Sequence, residues 1–257
     1  MPVKDLFTSL TFESSALSVI GIGEESKKYI DEIKDWNSPL ISAMMLERDF
    51  IDPEAGTEVV ILIITENVDA TILAKNLKQS GLLTIIVATC EIRAMEGSYD
   101  SIAIVPEDKV IDTVKTVAEI LTKPPQYICL DLNDLICIMK DSGTFYTFSH
   151  TSSVEKGGMT NLANYLREKL KGLPSLEKML VNITLSKAAK ELLKVEDLMI
   201  IQKVFTKLPD SIKIVWGFDV TENLASDELA INIIATSHSR KRAGPALPGG
   251  FRQISDP

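Results

Sequence analysis

The sequence predicts an α/β protein, with a parallel sheet in its first part and an α+β unit with a mixed sheet in its second. Three observations carry this. Val59–Ile64 (VVILII) is an unbroken run of branched aliphatic residues, as in a strand covered on both faces. Runs of that kind alternate with helix-period segments as far as Leu121, the order of a parallel α/β sheet. Beyond Pro124-Pro125 the rhythm changes, and alternating strand-like runs are mixed with amphipathic helices.

In chain order, Leu17–Ile22 is a short apolar run ending at Gly21-Ile-Gly23 and is expected as a buried strand. A polar helix follows, with Tyr29, Ile30 and Ile33 facing inward, and Pro39–Leu46 supplies another strand. Val59–Ile64 is central. Asp69–Gln79 places Ile72, Leu73 and Leu77 at helical spacing, and Gly81 can end that helix. Leu82–Ala88 and Ile102–Val105 are further strands. Val110, Val114, Val117, Ala118 and Leu121 mark a helix over 107–121, which Pro124-Pro125 must stop. The second unit starts with a short helix over Asp131–Lys140, closed by Gly143. Thr144–Ser149, Met179–Thr184, Ile212–Phe218 and Leu229–Thr236 are its strands, and Met159–Leu170 and Val195–Leu208 its helices. The expected division is 14–123, 124–239 and a tail over 240–257. The tail is basic and Pro/Gly-rich from Ser239 (SRKRAGPALPGGF) and has no apolar period.

A chain of 257 residues is long enough to bury a large core. With 25% charged and 45% hydrophobic residues its composition is that of a soluble globular protein. The net charge of −9 argues against general affinity for nucleic acid or an anionic membrane surface. No apolar run approaches the ~20 residues of a transmembrane helix, and MPVKDLFTSLTFESS lacks the apolar centre of a signal peptide. Cys90, Cys129 and Cys137 are odd in number, scattered and in apolar company, so neither a disulfide framework nor a metal site is expected. His150 and His238 have no Cys or His neighbour at ligand spacing. The expected compartment is the cytoplasm.

Five short strings carry a resemblance. Tyr99-Asp-Ser-Ile-Ala-Ile-Val-Pro-Glu-Asp-Lys109 runs a strand into a turn like "IPNDK". Cys129-Leu-Asp131-Leu-Asn-Asp134-Leu135 resembles a loop written NxDxxDV. Val181-Asn-Ile-Thr184 is similar to "INITG", Ile214-Val-Trp-Gly-Phe218 to "IIFGA", and Asp227–Thr236 to "DEVRVTVIATG". They occur in the order, and at the spacing, of FtsZ, so residues 98–237 resemble the tubulin/FtsZ family; earlier residues resemble it only in topology. The resemblance implies a filament-forming GTPase fold. It implies that Asp131 and Asp134 stand where the family places the acids that enter a neighbouring subunit's nucleotide site and orient the attacking water.

The departures from the family decide the expected function. Its first phosphate loop resembles IGVGGAGGN. Here Ile20-Gly21-Ile22-Gly23-Glu24-Glu25-Ser26 keeps one GxG and adds two acids. The signature resembling GGGTGTG should follow Val59–Ile64. Here Thr65-Glu66-Asn67-Val68-Asp69-Ala70 has no glycine and two more acids. Glycines let backbone N–H groups close on phosphate, and carboxylates there have the wrong sign. The segment from Lys109 to Pro124, which in the family reads guanine, is also short. The expectation is therefore a pseudo-GTPase with no cofactor, acting on an FtsZ-type filament protein or on itself. The alternative is a divergent GTPase that binds GTP and polymerises.

Each candidate also has a plainer explanation. Gly21 and Gly23 serve a tight strand-to-helix turn as well as a remnant phosphate loop. Asp131 can cap a helix, and Asp134 suits its positive end. Trp216 and Phe218 are expected in the core. In the tail, Arg240 and Arg242 with Phe251 are candidates for docking a partner, in the place where FtsZ carries its partner-binding peptide; a solvated basic cluster is the plainer account.

Overall fold

The computed structural model describes residues 16–46, 53, 56–92, 97–122, 128, 130–155, 157–173, 175–192, 194–222 and 224–237. Among the described residues nine strands form one sheet: β1 (Leu17–Ile22), β2 (Ile41–Met45), β3 (Val59–Ile64), β4 (Leu83–Ala88), β5 (Ser101–Ile104), β6 (Gly143–Ser153), β7 (Leu176–Ser186), β8 (Lys213–Thr221) and β9 (Glu228–Ser237). Their spatial order is β2-β1-β3-β4-β5-β6-β9-β7-β8. All pairings are parallel except those of β9 with β6 and β7. The sheet is thus parallel over its first part and mixed over its second. The join between them is short, Ser101 with Gly143 and Ile102 with Thr144.

Among the described residues seven α-helices cover the sheet: α1 (Lys27–Lys34), α2 (Thr71–Gln79), α3 (Val110–Thr122), α4 (Leu132–Met139), α5 (Gly158–Lys171), α6 (Lys187–Leu192) and α7 (Val195–Phe205). Alternation along the strands explains how they are shared between the faces. Val19, Ile61, Ile63, Ile85 and Val87 pack with Tyr29, Ile30 and Ile33 of α1 and with α3 and α4. Their neighbours Ile20, Val60, Leu62, Ile64 and Ile86 point the other way, onto Leu73, Ala74 and Leu77 of α2. Every residue of β3 and β4 is buried, as helices on both faces require. In the second part, Met179, Val181, Ile183 and Leu185 face α5, α6 and α7, while Leu180 and Ile234 join the cluster of α3 and α4.

Helix α3 links the two parts. Val110, Val114, Val117, Ala118 and Ile120 are buried, each full-sized aliphatic side chain worth roughly 1.5–3 kcal/mol by burial. Thr113 Oγ1 lies 3.1 Å from Thr147 Oγ1 of β6, and Glu119 Oε2 accepts from Asn232 Nδ2 of β9 at 3.0 Å. At the amino ends of β4 and β5 the buried Asp100 accepts backbone N–H bonds from Thr84 (2.9 Å) and Asp141 (3.3 Å) and pairs with Lys78 at 3.2 Å.

Most predicted elements are present with shifted ends. Residues 107–109 form a 3-10 turn before α3, and β6 and β7 run to Ser153 and Ser186. Helix α6 is an element not anticipated from the sequence. Ser186 Oγ accepts the Ala189 N–H at 2.9 Å and starts it directly off β7, a local capping signal that the apolar pattern masked. No helix among the described residues is long and apolar enough to cross a membrane.

Candidate functional site

In an open parallel sheet, ligands bind outside the carboxyl ends of strands at the point where strand order reverses. Here that point lies between β1 and β3, since β1 connects onward to β2 on one side and has β3 on the other. Gly21–Ser26 leaves β1 and Thr65–Ala70 leaves β3, so both candidate loops meet there.

The contacts in this crevice are internal. A Cβ on Gly21 would lie 2.6 Å from Ser26 Oγ, 2.7 Å from Ile30 and 2.8 Å from Met45 Sδ. Gly23 has φ +93, and a Cβ there would lie 2.8 Å from Thr65 Oγ1 and 2.9 Å from Glu66 Cγ and Cδ. Both glycines are therefore required by packing, and Gly23 also by its backbone. Ser26 Oγ donates to Gly23 O at 2.6 Å. Thr65 donates its N–H and its hydroxyl to Ile22 O, both at 3.3 Å. The Glu24 N–H, at the start of the 3-10 turn leading into α1, donates to Glu66 Oε1 at 2.8 Å. Asp69 Oδ1 accepts the Thr71 N–H at 2.9 Å, at the start of α2.

The electrostatics agree with this packing. Neither Gly21–Ser26 nor Thr65–Ala70 contains Lys or Arg. Glu24, Glu25, Glu66 and Asp69 are all exposed. Lys28 of α1 is paired with Glu107 at 2.7 Å, and this hydrogen bond raises its pKa. The half-buried Cys90 thiol, just past β4, is pushed up first by burial and then by the negative charge of Glu66. Among the described residues no group of His, Cys, Asp and Glu could hold a metal ion.

The second candidate cluster stands at the start of α4, beside β8. Asp131 is the N-cap and Asp134 the third helical residue. Asp131 Oδ1 accepts the Asp134 N–H and Asp134 Oδ2 accepts the Asp131 N–H, both at 3.1 Å. This capping box uses one oxygen of each carboxylate. The segment before it is tied to β8: Ile128 and Phe218 exchange two backbone hydrogen bonds, at 3.1 and 2.9 Å. A Cβ on Gly217 would lie 2.5 Å from Leu130 Cγ and 2.8 Å from Ile128 O. Trp216 and Phe218 are half-buried against the cluster of α5 and α7. Cys129 and the tail residues Arg240, Arg242 and Phe251 lie outside the described residues.

Asp131 and Asp134 are thus brought together, and Gly21 and Gly23 meet Thr65 and Glu66. Sequence reasoning placed Glu66 in the loop only as a repelling charge, and missed that it accepts a hydrogen bond from the opposite loop. It also gave Gly217 no part in placing Asp131. Both depend on contacts across strands, for which local sequence carries no signal.

No protein-family model matches the chain, and no curated protein matches it by sequence. Solved structures do match. An empty FtsZ dimer from M. jannaschii superposes with TM-score 0.64 at 16% identity, over 87% of this chain and 88% of that one. GDP-form protofilaments of TubZ from Bacillus thuringiensis serovar israelensis give TM-score 0.62 at 9% identity, over 87% and 86%. The GDP-bound monomer of CetZ1 from Haloferax volcanii gives TM-score 0.58 at 12% identity, over 86% and 93%. The nine-stranded, mostly parallel sheet and these three likenesses together establish that the chain has the tubulin/FtsZ-like fold.

Proposed function

We propose that this chain is a non-catalytic FtsZ-like protein of the cytoskeletal or division apparatus, acting in the cytoplasm by protein–protein contact. The fold supports the cytoskeletal part, since two of its structural neighbours were solved as a dimer and as protofilaments. The observation that carries the non-catalytic part is Glu66. Its carboxylate already sits on the Glu24 N–H at the switch point, 2.8 Å away. A triphosphate brought there would meet like charges, each costing about 1 kcal/mol at 4 Å in water and about 4 near a protein surface.

The partner in this proposal is an FtsZ-type filament, with self-association as its homotypic form. Filaments of this kind grow by heterologous contacts that do not close. A subunit that keeps the Asp131–Asp134 face and lacks a nucleotide-loaded face adds at one end and offers nothing to the next subunit. The protein therefore caps or limits filaments.

Two measurements test this. Calorimetric titration with GTP and magnesium is expected to give no heat of binding at physiological nucleotide concentration; micromolar, magnesium-dependent binding would overturn this and favour the alternative of a divergent GTPase. Substoichiometric protein is expected to shorten polymers of an intact FtsZ in a sedimentation assay. Unchanged polymer length and GTP turnover across a full titration would overturn the capping role.

A further inference from the structure

We infer that Glu66 is a built-in anion for the Gly23–Glu24 turn, one that keeps the two switch-point loops closed on each other without any ligand. In its regulatory consequence this rests on the non-nucleotide reading above; in its geometry it does not.

The chain of contacts is short. Helix entry leaves the Glu24 N–H without an intrahelical partner. An acceptor from outside the turn can satisfy it, and a charged oxygen does so most strongly. Glu66 Oε1 is that acceptor, from 42 residues away in sequence, at 2.8 Å. The aliphatic stem of the same side chain lies over Gly23, where a Cβ would meet Glu66 Cγ and Cδ at 2.9 Å. Thr65, the residue before it, bonds Ile22 O through both its N–H and its hydroxyl. Backbone, hydroxyl, stem and carboxylate of two consecutive residues thus tie the β3 loop to the β1 loop.

The consequence is regulatory. Where loops at such a crevice are ordered by a bound anion, their order follows ligand state. Here the anion is covalently part of the chain, so the loops have one state, and any partner that reads them meets a surface fixed at all nucleotide concentrations.

Amide hydrogen exchange on the full chain, read residue by residue by NMR, tests this. In the wild type the Glu24 amide is expected to be protected, and neither inorganic phosphate nor GTP with magnesium changes that protection. In Glu66→Ala its exchange rises by about tenfold or more, while the Thr84 amide, held by Asp100 at the amino end of β4, keeps its wild-type rate. In Glu66→Gln the acceptor remains and Glu24 stays protected to within about threefold. That variant removes the charge, so the pH profile of Cys90 alkylation, resolved by mass spectrometry, moves to lower pH. Wild-type exchange at Glu24 in Glu66→Ala overturns the clamp, whatever GTP does. If Glu66→Ala unfolds, so that Thr84 exchanges too, Glu66→Gln decides: an unprotected Glu24 overturns the clamp. Added protection of wild-type Glu24 by GTP overturns the empty-site reading and the single-state consequence, whatever Glu66→Ala does.

Discussion

Asp131 and Asp134 each accept the other's backbone N–H, at 3.1 Å in both directions, and so close the amino end of α4. The two acids that the family resemblance assigns to a neighbour's nucleotide site thus have a structural task within their own chain. Replacing either by Ala is expected to cost about 1 kcal/mol. The double variant should cost less than the sum, because each single change already breaks the reciprocal box. Urea denaturation of the two single variants and the double variant measures this; strictly additive losses would mean that the two bonds act independently.

Gly217 sets where that helix begins. The close approach of Leu130 and Ile128 leaves no room for a Cβ, so Gly217→Ala must push the segment off β8. A destabilisation of about 1–3 kcal/mol is expected from the overpacking. The Ile128 and Phe218 amides, which exchange backbone hydrogen bonds, should lose hydrogen-exchange protection together. Retention of both would show that the segment yields elsewhere.

Lys78 joins two carboxylates, Asp100 at 3.2 Å and Asp141 at 2.5 Å. Asp100 is 2% exposed, and its removal strands the Thr84 and Asp141 N–H groups and takes one carboxylate from Lys78, so Asp100→Ala is expected to cost about 3 kcal/mol or more. Asp141 is 65% exposed, and Asp141→Asn should cost less than about 1 kcal/mol. The hydrogen bond from Lys78 holds the Asp141 carboxyl below its ordinary range. Burial works against the Lys78 charge, but its bonds to Asp141 and Asp100 raise its pKa on balance. A depressed carboxylate stabilises the fold above its unfolded value of about 3.9 and stops doing so as pH falls through the folded value. A raised lysine stabilises it below about 10.4 and stops doing so as pH rises through the folded value. The stability difference between wild type and Asp141→Asn should therefore be level from about pH 5 to 10 and close at both extremes. Denaturation midpoints across that range check it.

The core around α3 draws on both parts of the sheet, from Val19 and Ile61 to Phe145, Leu180 and Ile234. Unfolding of the whole chain is expected to be a single transition, coincident by circular dichroism and fluorescence. Fragments 1–123 and 126–239, expressed separately, are expected to be insoluble or unfolded, because α3 and its partners would expose their apolar faces. Two fragments with independent melting transitions would contradict this.

The sequence by itself determined most of the strands and helices, though not α6 or the exact ends. Branched aliphatic runs such as Val59–Ile64 and Leu83–Ala88 specify two-sided burial, and Tyr29, Ile30 and Ile33 mark the inward stripe of α1; these are local periodicities, legible without a fold. It also led us to expect acids where the resemblance places glycines. Tertiary structure decided what those residues do. Gly217 is held to glycine by a segment some 90 residues earlier that crosses it. Glu66 bonds Glu24 only because parallel pairing of β1 with β3 brings their carboxyl ends side by side. Such contacts depend on strand order and register, and no local pattern encodes which loop will face which.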